Sequence, residues 1–266
     1  MYIGAQLFGI PEEVLKSDLT HVLNFISETG YDGVELPFLL EAERELNQLG
    51  LDCIGVHISP EQLVKHHELI GYLERHECRN LYVSGPLGWH DRSLDNFGAT
   101  CGVLNSAAKL YAKEGIKVQY HNHDFEFLIN SCESSTPFSI LQNELDFENI
   151  DLCIDVGWLH LAGVNVNDFL HEHRDKVSHL HLRDFAKTES VALGQGSVPL
   201  PQVYEQLNEL NRLKWVVIEF EPTLNFKTRF KQSWQHLNPG LLCIAARRLK
   251  NRPAYIERKL AEAMGN

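Results

Sequence analysis

Short runs of apolar, largely β-branched residues alternate along the chain with longer stretches of helical period. Eight of the short runs read as strands, at residues 2–6, 33–36, 52–57, 80–84, 117–121, 151–155, 177–182 and 215–220. Between them lie helical stretches at 11–29, 39–49, 60–76, 94–114, 166–175 and 201–211. Gly30, Gly50 and Gly115 follow three of these, at the place where a left-handed cap favours a residue without Cβ. Repeated strand–helix units give parallel strands with helical crossovers, and eight such strands close a barrel. The pattern therefore predicts an α/β protein, a single (β/α)8 TIM barrel domain over residues 1–266. An open doubly wound sheet is the rival, but no GxGxxG follows the first strand. The fifth unit is irregular: 128–149 is rich in Ser and Asn, which predicts a short helix and a loop walling the pocket. Residues 227–260 read as one or two helices outside the barrel.

Alternation along each strand assigns a face to every side chain. In 117–121 the apolar Val118 and Tyr120 point to the helices, so Gln119 and His121 point inward. In 151–155, Leu152 and Ile154 go outward and Cys153 and Asp155 inward. In 177–182, Leu180 and Leu182 go outward, leaving His179 and His181 inside. The last strand sends Val216, Ile218 and Phe220 out and Val217 and Glu219 in. The same reasoning places Gln6, Glu35 and His57 inside. One buried His is usually a hydrogen-bonded core residue. Several inward carboxylates and imidazoles at one rim are costly unless they bind something. Asp, Glu and His donors without Cys suit Mn²⁺, Mg²⁺, Zn²⁺ or Co²⁺.

Composition narrows the class. The net charge of −12 argues against a nucleic-acid partner, because phosphate binding is built on clustered Lys and Arg. Six cysteines are scattered without a CxxC pair, so reduced thiols are expected. The start MYIGAQLFGI lacks a basic segment and a long apolar run, and no stretch approaches a membrane span. A cytoplasmic location is expected.

The runs YHNHDFEF (120–127), LCIDVGWLHLAG (152–163), HLHLRDF (179–185), GQG (194–196) and WVVIEFE (215–221) recur in a known order. Together with IGAQLF and YDGVEL near the start, they resemble the xylose-isomerase-like TIM-barrel superfamily. The branch they are most similar to is that of sugar phosphate isomerases/epimerases, with inosose-dehydratase-like relatives. Each motif alone is weakly specific. Their order along nearly the whole chain is specific for the fold and the metal site, and much less so for the substrate.

The resemblance implies one divalent ion, with Mn²⁺ or Zn²⁺ favoured. Asp155, His181 and Glu219 would be ligands, with Glu126 as the fourth and His121 as its runner-up. It also implies proton transfer next to a carbonyl by Glu126 and Glu219 with help from His121. His57, His123, Trp158, Arg183 and Glu35 would contact a sugar or sugar phosphate. Isomerisation or epimerisation is the first expectation; dehydration of a keto-sugar or inosose uses the same parts. A non-catalytic sugar-binding barrel is a minor alternative, opposed by the joint presence of Asp155, His181 and Glu219. DNA-repair endonucleases of the same superfamily need three zinc ions and more His ligands, and here Trp158 stands where an extra His is expected. No membrane partner is expected, and a homo-oligomer remains open. Two departures from the family pattern stand out: Arg183 replaces a lysine, and Trp158 follows the Asp-x-Gly. The GQG lies where such barrels often bind phosphate.

Overall fold

The eight runs do form strands, and they close on themselves in a computed structural model that describes residues 1–129 and 134–249, with side chains to residue 237. The strands are β1 (Tyr2–Gln6), β2 (Gly33–Pro37), β3 (Asp52–Ile58), β4 (Asn80–Ser84), β5 (Lys117–His121), β6 (Ile150–Asp155), β7 (Val177–Leu182) and, last in the chain, β10 (Trp215–Ile218). All are parallel, in the order β1-β10-β7-β6-β5-β4-β3-β2 around a closed barrel. Two three-residue strands, β8 (Asp184–Ala186) and β9 (Glu189–Val191), form an antiparallel hairpin beyond β7 that the apolar pattern did not predict.

The helices are α1 (Glu12–Thr29), α2 (Glu43–Leu49), α3 (His66–Arg75), α4 (Leu94–Ala112), α5 (Pro137–Glu144), α6 (Val156–Leu161), α7 (Val166–Glu172), α8 (Leu200–Gln206) and α9 (Phe226–Leu249). Gly30 and Gly50 end α1 and α2 in the left-handed conformation expected of them. The predicted stretch 60–76 divides into a 3-10 turn, Pro60–Val64, and α3. The fifth unit carries only the eight-residue α5. The last helix is one continuous element to Leu249, and the remainder of the predicted 227–260 stretch lies outside the described residues. Cys53, Cys78, Cys101 and Cys153 are free thiols; Cys132 and Cys243 fall outside the described side chains.

Face alternation divides the core in two. Val118, Tyr120, Leu152, Ile154, Leu180, Leu182, Val216, Ile218 and Phe220 join the layer between barrel and helices. A separate small cluster of Ile54, Tyr82, Cys153, Trp215 and Val217 plugs the barrel interior. The plug is tight: a Cβ on Gly55 would run into the Tyr82 ring, so glycine there lets the tyrosine lie across the barrel. A register shift between β2 and β3 inserts Ile54 as an extra residue, and His57 still reaches the upper layer. Polar side chains above the plug thus sit on an apolar floor. No helix among the described residues is long and apolar enough to cross a membrane.

Candidate active site

The C-terminal ends of the strands deliver their inward residues to a cleft of about 610 Å³. Its lining includes the buried His121 and Arg183 and the partly buried His57 and Glu219, and Phe8, Trp89, His123, Phe125 and Trp158 give it aromatic walls. His121, Asp155, His181 and Glu219 each bring one donor atom to within 4.8 Å of the others. These four come from β5, β6, β7 and the residue after β10, so four adjacent strand ends build one focus.

Asp155 closes β6 and caps α6: its Oδ1 accepts from Gly157 N at 2.8 Å and Trp158 N at 3.2 Å. That leaves Oδ2 for Arg183 Nε at 2.9 Å. Gly157 permits this arrangement, since a Cβ on it would lie 2.7 Å from Arg183 Cβ. Arg183 also pairs through Nη2 with Glu219, and through Nη1 with Glu221 at 2.7 Å. His181 Nδ1 lies 2.5 Å from the other Glu219 oxygen, and its Nε2 lies 3.0 Å from Glu35. His57 Nε2 and Gln6 Nε2 each meet Glu35 at 2.8 Å.

Ionisation follows from these partners. Burial works against the Glu219 charge, but Arg183 and His181 hold its pKa well below the usual carboxylate range. Burial likewise opposes Glu35, and His181 and His57 bring it down to about 2. Burial pushes Asp155 up to about 6 against the pull of Arg183. His181 is disfavoured as a cation by burial, yet Glu35 and Glu219 keep its pKa well above the ordinary value. Burial holds His121 well below that value, and His123 down to about 3. The result is three carboxylates, Glu35, Asp155 and Glu219, against two cations, His181 and Arg183. Two carboxylates and two imidazoles form a donor set that suits a divalent ion of the Mn²⁺–Zn²⁺ group. The guanidinium already drawn onto Asp155 Oδ2 and toward Glu219 shows that these oxygens attract positive charge. The residues fit a metal.

Two expected site residues stand elsewhere. Glu126 was expected among the ligands, but the structure brings His121 to the donor group instead. The Glu126 carboxylate accepts from Tyr120 Oη and His123 N, both at 2.8 Å, so it holds the loop that carries His123. Tyr120 belongs to the outward face of β5, and Glu126 follows it there. Glu35 was expected against substrate; it is fully buried, outside the cleft lining, and grips His57 and His181 from below. His57, His123, Trp158 and Arg183 do line the cleft. Trp158 meets the Arg183 guanidinium 4.7 Å from its ring centre, so one ring face is covered by a cation. The GQG amides are committed: Gly194 N and Gly196 N both donate at 2.9 Å to Asp184 Oδ2. Sequence reading missed Phe8, Trp89, Arg92, Phe125 and Glu221 in the cleft. They sit on strand-to-helix loops without periodicity; for Trp89 the preceding Gly85-Pro-Leu-Gly88 was the available turn signal.

Burial raises the Glu126 pKa to about 7, against hydrogen bonds from Tyr120 and the His123 amide. A raised carboxyl favours the folded state while protonated. That contribution is complete below the unfolded value of 4.5 and is lost as pH rises through about 7. Glu126→Gln mimics the protonated acid. In metal-free protein, urea unfolding at pH 5 and pH 8 should show wild type losing about 2–3 kcal/mol relative to the variant. A pH-independent difference between the two proteins would remove this assignment.

Comparison with known proteins agrees with the geometry. The profile of the xylose isomerase-like TIM barrel matches residues 23–239, and the chain belongs to that family. An inosose dehydratase of Lactiplantibacillus plantarum is 23% identical over 267 residues, spanning 82% of this chain and 86% of that protein. A solved sugar phosphate isomerase/epimerase from Parabacteroides distasonis superposes with a TM-score of 0.74 at 16% identity, over 89% of this chain and 93% of that one. The IolI protein, solved with a bound zinc atom, superposes with a TM-score of 0.66 at 14% identity, over 93% and 99% of the two chains.

Proposed function

We propose that this protein is a divalent-metal-dependent enzyme that moves a proton next to the carbonyl of a small sugar-like substrate, giving isomerisation or epimerisation. The observation that carries this reading is the focus of His121, Asp155, His181 and Glu219 beside an aromatic-walled cleft. The similarly folded IolI protein was solved with a bound zinc atom, which supports a divalent metal as cofactor. His121, Asp155, His181 and Glu219 would hold such an ion, which would supply Lewis-acid polarisation of the substrate carbonyl.

The chain's own residues do the rest. Glu219, kept ionised by Arg183 and His181, faces the cleft and accepts the proton from the carbon beside the carbonyl. Neutral His123, outside the donor group, presents ring nitrogens that bind a hydroxyl or relay a proton. Arg183 offers a fixed cation to substrate oxygens. The aromatic walls exclude water and take the C–H surface of a sugar. With the GQG amides held by Asp184, an unphosphorylated substrate is the better fit.

Dehydration is the second reading, favoured by the inosose dehydratase relative that spans most of this chain. It begins with the same proton abstraction and then expels a β-hydroxyl. Turnover in heavy water, screened over keto-sugars and inososes with added Mn²⁺ or Zn²⁺, separates the possibilities. Isomerisation or epimerisation places deuterium at one carbon with no other change of mass. Dehydration removes one water. Turnover with no solvent deuterium and no isotope effect at that carbon would defeat proton abstraction and leave hydride transfer.

A further inference from the structure

We infer that Glu35 is a positioning residue that fixes two histidines at once, holding His57 and His181 by Nε2–H so that both turn Nδ1 to the upper layer of the barrel. Glu35 lies on β2, in register with Gln6 of β1, and it reaches across the interior to His181 on β7. One oxygen accepts from His57 Nε2 and Gln6 Nε2, both at 2.8 Å, and the other from His181 Nε2 at 3.0 Å. Full burial excludes direct contact with substrate. Each ring therefore spends its Nε2 proton on Glu35. The nitrogen left over is Nδ1, which in His181 lies 2.5 Å from Glu219 and in His57 belongs to a ring that lines the cleft.

A ligating imidazole oriented by a carboxylate on its far nitrogen is a general device for fixing tautomer and ring plane. One carboxylate serving two rings couples the metal focus to a cleft histidine. The donor atoms of Glu35, His57 and His181 also lie within 4.8 Å of one another. Both Nε2 atoms act as donors to the carboxylate, however, so this trio is a hydrogen-bonded hub and not a second ion site. The part of the inference that concerns metal rests on the proposed function; the hub itself does not.

Nitrogen-15 NMR of histidine-labelled wild type tests the hub directly, first without metal and then with Zn²⁺. In both states His57 should carry its proton on Nε2 with Nδ1 bare, and His181 should keep Nε2–H while Zn²⁺ takes Nδ1. Either ring with a bare Nε2 overturns the inference, as does a titration showing two tightly bound ions per chain. Glu35→Gln is the companion variant. An amide can accept from one ring, but it presents N–H to the other and forces that ring out of place. Zn²⁺ affinity should fall by about 10–100-fold, and the visible spectrum of the Co²⁺-loaded protein should change. His57→Gln should alter neither, because Glu35 still holds His181. A folded Glu35→Gln protein with wild-type Zn²⁺ affinity and Co²⁺ spectrum also overturns the inference. If no form binds metal, the proposed function fails, and the metal-free spectrum still decides the role of Glu35.

Discussion

A chain carrying Asp155→Asn and Glu219→Gln should retain no stoichiometric metal and lose turnover by about three orders of magnitude or more. Both substitutions keep shape and remove charge, so the effect isolates the donor chemistry. The carboxamide that replaces the Asp155 carboxylate can still accept from Gly157 N and Trp158 N through its oxygen, which preserves the start of α6. Its NH₂ group then faces Arg183 Nε, donor against donor, at a cost of about 1–3 kcal/mol. The apolar plug and the outer layer are untouched, and the circular dichroism spectrum should match wild type. Elemental analysis after gel filtration reads the outcome. Glu221→Gln is the control: it removes the more exposed partner of Arg183, which is not one of the four donors, and metal should stay. One ion per chain in the double variant would end the assignment of these two residues.

Strand parity made much of this legible. Val118 and Tyr120 were assigned outward and His121 inward because a two-residue period on a closed sheet leaves no third choice. It says nothing, though, of depth along the barrel axis. Glu35 faces the interior as assigned, but it is fully buried against His57 and His181 and outside the cleft lining. Parity also stops where the strand stops. Glu126 lies five residues past the end of β5, and its direction was set by a hydroxyl on the outward-facing Tyr120. The Gly194–Gly196 loop lies where such barrels often bind phosphate, and its position left phosphorylation of the substrate open. Asp184, next to Arg183, instead takes its amides and ties the β8–β9 hairpin to the loop after it. These polar contacts join chain segments whose relative placement no periodicity encodes.

The replacement of a family lysine by Arg183 carries the other large effect. Arg183→Met should cost the metal-free protein about 3–5 kcal/mol, since it leaves buried carboxylates without their main counter-charge. The side chains concerned are almost dry, with Asp155 at 0%, Arg183 at 3% and Glu219 at 11% exposure. At this chain length such a loss lowers the melting temperature by roughly 6–20 °C. Arg183→Lys should fall between, because an ammonium is a point charge and cannot fork across Asp155, Glu219 and Glu221 together. Metal should reverse much of the deficit. The guanidinium lies on Asp155 Oδ2 and Glu219 Oε1, so in wild type an ion competes with it for carboxylate charge. In Arg183→Met that competitor is gone, and saturating Mn²⁺ or Zn²⁺ should raise the melting temperature more in the variant than in wild type. Melting curves in chelator and in excess metal check this on the same samples. An equal deficit in both would mean that Arg183 contributes packing against Trp158 and not charge, and that the ion and the guanidinium do not contend for the same oxygens.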